Sequence, residues 1–400
     1  MPNVYERLGV RPIVNAKGPS TRLSGGMMHP EVAAAMAQAT ALCVDMAELQ
    51  AAASAAIARA TGAEAGYVTA GAAAGLLLAT AACMTGLDPG RMNRLPDTTG
   101  MKNEVLVARS QRNFYDHAVR AAGARLVEIG LPDRVSGAGV RDAEPWEYAD
   151  AINERTAAVL YVASPEARPD LTDVAAVAHA AGVPVIVDAA GQLPPAANLR
   201  RFVAEGADAV VFSGGKAIGG PQGSGILAGR RDLVMAAALQ NLDLDIPFAL
   251  WTPPPGLIDK DRLKGIPHHG IGRSSKVGKE QVVGLLAALE RFAGEDDATR
   301  RAPWLARMRA LADALKPLNN AAVELRDEGH PVPTVALRLA PAAGLGADAL
   351  LLALQTGTPP IYADPSEARS RTVVFVPTCL QDDEVPVIAR RVRDVVTAAG

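Results

Sequence analysis

Strand and helix segments that alternate between residues 66 and 229 predict an α/β fold: a mostly parallel, doubly wound sheet followed by a smaller C-terminal α+β domain. Three observations carry this. The strand-like segments are continuous apolar runs rather than alternating ones, so both of their faces are covered, as in a parallel sheet. Helical stretches separate them, the mark of strand–helix–strand units. The alternation then stops after about residue 241, where "DIPFALWTPPPGLIDKDRLKGIPHHGIGRSS" turns rich in proline and glycine.

Residues 1–48 read as an irregular N-terminal arm, and a helix follows over 49–61. "GYVTAGAAAGLLLATAACMTG" (66–86) reads as a short strand, a turn and an apolar helix. Strands are predicted at 104–109, 125–130, 157–163, 183–190, 207–213 and 225–229, with a helix at 170–182 between two of them. The stretch from 241 to 275 reads as an ordered functional loop or lid. A periodic helix covers 276–294, another runs over about 302–317, and a last one spans 383–398. The expected division is therefore an arm (1–48), a large domain (49–275), and a linking helix with a small domain (276–400).

At 400 residues, two domains are the default. Hydrophobic residues make up 49% and charged residues 21%, as in a soluble globular protein. The net charge of −3 and the lack of a long basic run argue against a nucleic-acid partner. Cys43, Cys83 and Cys379 show no metal-binding spacing, so no metal site is expected. An odd cysteine count, no basic-then-apolar opening and no apolar run of ~18 residues point to the cytoplasm and to no membrane partner.

The chemistry centres on "FSGGKAIGGPQGSG" (212–225), where an apolar strand runs into a glycine-rich loop carrying Lys216. A buried charge is costly, so this lysine needs a reason. A phosphate-loop reading requires G-x-x-x-x-G-K-[ST]. Here Val210 occupies the first glycine position and Ala217 replaces the hydroxyl residue, so that reading fails. The other reading is a lysine that forms an imine with an aldehyde cofactor, pyridoxal 5'-phosphate (PLP). Such a site needs an acid for the pyridine nitrogen and a phosphate cradle. Asp188 ends the apolar strand "VPVIVD", 28 residues before Lys216 and one strand–helix–strand unit away. The two can meet at adjacent strand ends, where open α/β sheets bind ligands. The turn at Gly71, Ala72 and Ala73 opens a helix whose free N–H groups suit a phosphate, and Ser213 can add a hydroxyl.

These residues resemble a known family. "FSGGKAIGGPQGSGILAG", "VIVDAAGQLPP", "YVTAGAAAGLLLATAACMTG", "RLGVRPIVNAKGPSTRLSGG" and "KVGKEQVVGLLAALERF" are similar to segments of fold-type I PLP enzymes of the selenocysteine synthase type, including its tRNA-independent branch with D-glucosaminate-6-phosphate ammonia-lyase. The resemblance implies a large domain, a smaller C-terminal domain and a homodimer or higher homo-oligomer. It implies Lys216 as the Schiff-base lysine, Asp188 as the pyridinium partner, and Gly71, Ala72, Ala73 and Ser213 as phosphate ligands. It makes Tyr115 or His117 the ring-stacking residue, places Gln192 near the phenolic oxygen, and offers Asn15 and Thr21 to a substrate hydroxyl.

An amino-acid substrate carries a carboxylate, for which arginine is the usual partner. Arg22, Arg273, Arg369 and Arg371 are the candidates, with His268 and His269 beside Arg273 in one loop. The favoured reaction is a PLP-dependent lyase acting on a small amino acid or amino sugar acid. It removes the α-proton, eliminates a β-group and releases ammonia and a keto acid. Aminotransferase or racemase chemistry is the alternative, and a non-catalytic PLP-fold binding protein is the alternative of another class. No extra basic domain supplies a surface for tRNA.

Overall fold

The apolar runs do form one sheet with both faces covered. The structure, a computed structural model, describes residues 3–131 and 142–399. In chain order its strands are β1 (Val14–Ala16), β2 (Ala65–Thr69), β3 (Glu104–Ala108), β4 (Arg125–Ile129), β5 (Thr156–Val162), β6 (Val185–Asp188), β7 (Ala209–Ser213), β8 (Gly225–Gly229), β9 (Ala321–Arg326), β10 (Thr334–Leu339), β11 (Ile361–Ala363) and β12 (Thr372–Phe375). The chain divides into two compact units, residues 28–294 and residues 1–27 with 295–400.

The larger unit holds a seven-stranded sheet in the order β2-β8-β7-β6-β5-β3-β4. The pairs from β7 to β4 are parallel. Strand β8 runs antiparallel to both β7 and β2, which the apolar character of "GILAG" alone does not reveal. Successive residues of a strand feed opposite layers, as the period of 2 requires. Val210 and Phe212 join one core with Ile57, Val174 and Leu285, while Ala209 and Val211 join the other with Leu76, Leu78 and Leu239. The Ala72–Thr85 helix is apolar nearly all round and lies buried, as such helices must.

Two of the expectations fail here. Residues 1–48 are not an irregular arm. Pro30–Ala39 is a helix, started by Pro30 at its first turn and by His29, whose ring accepts from the Glu31 N–H. Strand β1 is buried and pairs in parallel with β11, so the first 27 residues belong with the C-terminal unit. Long-range pairing of this kind leaves no local periodicity to read. At the other border, the Lys279–Gly294 helix packs on the large unit through Val282, Leu285 and Leu289, so the boundary falls at 294 rather than 275. The stretch 241–275 also buries much of its own apolar surface: Leu244, Trp251, Leu257, Ile258 and Leu263 enter the large unit's core.

The smaller unit has an antiparallel sheet in the order β12-β10-β9, the β1-β11 pair, and helices Asp297–Leu315, Ala347–Thr356 and Glu384–Ala399. Its core gathers Leu311, Leu337, Leu350, Phe375 and Ile388.

Strand β2 ends the large sheet, and its free edge is satisfied by side chains of the Met46–Thr61 helix. Gln50 Nε2 donates to the Val68 carbonyl at 2.9 Å, its Oε1 accepts from the Val68 N–H at 3.0 Å, and Ser54 Oγ accepts from the Gly66 N–H at 3.0 Å. Gln50→Ala leaves both Val68 groups buried and unpaired, at a cost of about 1–3 kcal/mol. The expected result is a lower urea midpoint with an unchanged slope.

Candidate active site

The candidate site lies where the parallel strands of the large unit end. Asp188 is the last residue of β6, and the register sets it beside Val162 of β5 and Val211 of β7. Its carboxyl is 7% exposed and accepts one hydrogen bond, from the Ala190 N–H at 3.0 Å. Burial raises its pKa above the usual carboxylate range, against the opposing pull of that N–H and of the Lys216 charge. Strand β7 ends at Ser213, and the chain turns into a loop tied by Gly214 N–H to Ser224 O, Gly220 N–H to Gly214 O and Gly219 N–H to Lys216 O. Lys216 sits on that loop, half-buried, with its ammonium over Gly191: a Cβ built on Gly191 would stand 4.0 Å from Nζ. Three of the sequence-predicted residues, Asp188, Ser213 and Lys216, therefore meet at one edge.

The cradle stands beside them. Gly71 caps the Ala72–Thr85 helix with φ +90°, a conformation that only glycine takes without strain, and no side chain caps the helix. Thr69 Oγ1 fixes the turn by donating to the Gly71 carbonyl at 2.9 Å. Registers align Ser213 of β7, Gly225 of β8 and Thr69 of β2 in one row. Gly225 makes this possible: a Cβ there would lie 2.5 Å from the Gly71 carbonyl carbon and 2.7 Å from the Ala72 nitrogen. The free N–H groups of the first helical turn, Ala72 and Ala73 among them, thus come down onto the strand ends with the Ser213 hydroxyl alongside.

The amino edge of the same sheet is its electrostatic opposite. There Glu104 is paired with Arg125 and Arg155, and Asp208 with His179 and Arg230. At the carboxyl edge Asp188 and Lys216 form no ion pair among the described residues. Buried charge is closed off at one edge and left open at the other.

The remaining expected residues divide. Gln192 lies in the turn after Asp188, with its carbonyl taking Asn198 Nδ2 at 2.6 Å. Tyr115 and His117 are exposed after β3, two strands from Asp188, Tyr115 in the single turn Phe114–Asp116 and His117 at the start of the short helix His117–Ala121. Arg273 is bound to Asp243 at 2.6 Å and lines a cavity of about 470 Å³ with Gln50, Tyr67, Asn241 and Lys276. In that cavity the Tyr67 hydroxyl donates to Asn241 Oδ1, and burial keeps it protonated. His268 and His269 are exposed in the same loop.

In the smaller unit, Asn15 is spent locally, on the Gly18 carbonyl and the Lys17 N–H. Thr21 opens a single helical turn that carries Arg22, and the Arg22 guanidinium stacks 5.1 Å from the centre of the Tyr362 ring. Arg369 sits in the turn Ala368–Ser370. Arg371 is a correction: its guanidinium donates to the carbonyls of Leu339, Ala340 and Leu345, so it locks a loop rather than waiting for a carboxylate.

Sequence reasoning missed a second cavity at the carboxyl edge. It measures about 360 Å³ and is lined by Ser110, Asn113, Val162, Ser164 and Glu166 among others. The signal was present in "YVASPEAR", which leaves the strand beside the Asp188 strand.

Comparison with known proteins agrees with this geometry. The family model for SelA, L-seryl-tRNA selenium transferase, matches residues 110–244. D-Glucosaminate-6-phosphate ammonia lyase of Salmonella typhimurium is 32% identical over 98% of both chains. The chain belongs to the selenocysteine synthase/ammonia-lyase family of fold-type I PLP enzymes. Other known proteins are also similar to this chain. 5'-C-glycyluridine monooxygenase-decarboxylase of a Streptomyces species is 34% identical, over 99% of this chain and 92% of that one. A solved D-glucosaminate-6-phosphate ammonia-lyase structure superposes with a TM-score of 0.81 at 31% identity, covering 100% of this chain and 99% of the other. The cysteine desulfurase CsdA of Escherichia coli, at 18% identity and a TM-score of 0.55, shares the fold.

The residues present suit the family's cofactor. A buried carboxyl with one hydrogen bond calls for a cation, an uncapped helix N-terminus calls for an anion, and the Lys216 amine has no ion pair among the described residues. The raised Asp188 pKa makes a thermodynamic prediction. The native carboxyl holds its proton more tightly than the unfolded chain does, so ionisation penalises the native state once pH rises above about 3.9. Asp188→Asn removes that penalty. The cofactor-free variant should melt at or above the wild-type temperature at pH 7, with the gap closing toward pH 4 in calorimetric scans.

Proposed function

We propose that the protein is a PLP-dependent lyase that releases ammonia from a small amino acid or amino sugar acid. One observation carries the reading: the buried Asp188 carboxyl, short of hydrogen bonds, faces the open edge where Lys216 is the neighbouring cation. The Asp188 carboxylate is not needed for packing, and buried without a cation it is costly. The lyase relatives at 31–32% identity support the reaction class.

The chain's own residues divide the work. Lys216 would hold the cofactor through its Nζ, Asp188 would face the pyridine nitrogen, and the Gly71–Ala73 turn with Ser213 would bind the phosphate. Gln192 would stand by the phenolic oxygen, and Tyr115 or His117 would cover the ring. Bound PLP supplies an electron sink that makes the α-proton of an amino acid acidic. With the substrate bound, the Lys216 Nζ would be the base that takes the proton from Cα. Asp188 would hold its negative charge against the cation it faces. Arg22, Arg273 and Arg369 are the arginines for the substrate carboxylate, with Asn15, Thr21, His268 and His269 for its polar groups.

The Streptomyces relative supports a second reading, oxidative decarboxylation on the same framework. Ammonia release with no oxygen uptake favours the lyase, and oxygen consumption with carbon dioxide release favours the second. Borohydride should fix the cofactor to Lys216, read by peptide mass mapping; a label on another lysine overturns the assignment. Lys216→Ala should lower turnover on the order of 10²–10⁴-fold, as for loss of a general base. Asp188→Asn should retain cofactor and lose activity on the order of 100-fold, as for loss of a preorganised charge.

We also propose a homodimer or higher homo-oligomer with a shared site. Exposed apolar side chains support it: Val4, Tyr5 and Leu8 near the amino terminus, Leu42 and Val44 before the Met46–Thr61 helix, and Leu250 in the 241–275 stretch. With subunit exchange verified, mixing inactive Lys216→Ala and inactive Arg273→Ala proteins should restore part of the activity. No recovery means that Arg273 serves no neighbouring site.

A further inference from the structure

We propose that Tyr67 and Asn241 are positioning residues, which set where the Arg273 guanidinium stands for a substrate carboxylate; this rests on the reading of Arg273 as a carboxylate partner. All three side chains line the cavity of about 470 Å³. Tyr67 lies on β2, Asn241 ends the Arg231–Asn241 helix, and both are buried.

Arg273 sits in the helical turn Ile271–Ser275, whose backbone is held from several sides. The Ile271 N–H donates to Gln240 Oε1 at 3.2 Å. Asn241 Nδ2 donates to the Gly272 carbonyl at 2.7 Å and to the Ser275 carbonyl at 3.2 Å, one on each side of Arg273. The turn is also pressed against its neighbours. A Cβ on Gly270 would stand 2.3 Å from Gln240 Cα, and one on Gly272 would stand 2.5 Å from Leu78 Cδ2. The backbone has little room to shift, and the Arg273 side chain reaches into the cavity, where it donates to Asp243 at 2.6 Å.

The chemistry of the groups fixes the order of the chain of contacts. Carbonyls only accept, so the amide nitrogen of Asn241 must face the turn and its Oδ1 must face Tyr67. The Tyr67 hydroxyl then donates to that Oδ1 at 2.9 Å, and burial keeps the hydroxyl protonated. It locks the rotation of the carboxamide, because a flipped Asn241 would set its oxygen against two carbonyl oxygens. Two residues further along β2, Thr69 ties the Gly71 turn. One rigid strand thus anchors both the phosphate cradle and the turn that carries Arg273. Buried polar groups are costly unless paired, and the carboxamide of Asn241 spends both of its donors on the backbone flanking one arginine.

The test uses the full-length, cofactor-loaded protein and two probes, racemic serine and its amino alcohol serinol, which differ by one carboxylate. Titration followed through the cofactor's absorption gives the preference for serine over serinol. Arg273→Ala should lower that preference on the order of 10–100-fold, the size of a charge-assisted hydrogen bond. Asn241→Ala should lower it about 10-fold and Tyr67→Phe about 3-fold, two hydrogen bonds and one. Neither should lower it further in the Arg273→Ala background, as residues that act through Arg273 require. A merely structural role would weaken both probes alike. Tyr67→Phe keeps the ring and its packing, so it decides the matter if Asn241→Ala does not fold. A wild type with no preference for serine, a preference unmoved by Arg273→Ala or Tyr67→Phe, or a loss that persists in the Arg273→Ala background overturns the proposal. Ammonia release from serine is read separately: its absence with the preference pattern intact counts against the lyase reading and leaves the positioning role standing.

Discussion

The close approach of Gly225 to the Gly71–Ala72 peptide is the contact on which the candidate site depends. It lets a helix N-terminus settle directly on the ends of β8 and its neighbours. Any side chain at 225 would push the helix away by more than an ångström, since its Cβ would overlap backbone atoms that cannot rotate aside. The antiparallel run of β8 matters for the same reason. It puts the strand's first residue, where the chain leaves the lysine loop, at the edge where the parallel strands finish. Loop, helix and strand ends then converge through backbone geometry alone, before any functional side chain is added.

On that platform the electrostatics are asymmetric. Acids at the amino edge are each held by basic partners, which stabilises the fold and leaves nothing for a ligand. At the opposite edge the Asp188 carboxyl is buried with one hydrogen bond and carries a desolvation cost. A cation placed against that carboxyl would relieve the cost.

Much of this was legible in the chain. Lys216, Asp188 and the Gly71 turn stood out because each breaks an apolar run with a residue that packing does not need, and such breaks survive in a single sequence. The strands were legible for the same reason, as unbroken apolar stretches. What stayed hidden depends on partners far away in the chain. Strand β1 is only three residues long and finds its mate at Ile361–Ala363. Arg371 looks like any exposed arginine until the three carbonyls around it are known. Glu166 and Ser164 follow a strand in an unremarkable polar stretch, and only the structure shows the cavity they line. The loop at 241–275 misleads in the other direction: its prolines suggest a surface lid, while its leucines and Trp251 are part of the core.

The side-chain cover on β2 has a further consequence, for how copies of this chain can associate. Growth by adding strands needs a row of free N–H and C=O groups, and at Gly66 and Val68 that row is already occupied by Ser54 and Gln50. The other end of the sheet, β4, carries Arg125 and Glu128, both tied up in ion pairs and unfavourable next to a second copy of themselves. A sheet continuing from one molecule to the next is therefore disfavoured at both ends.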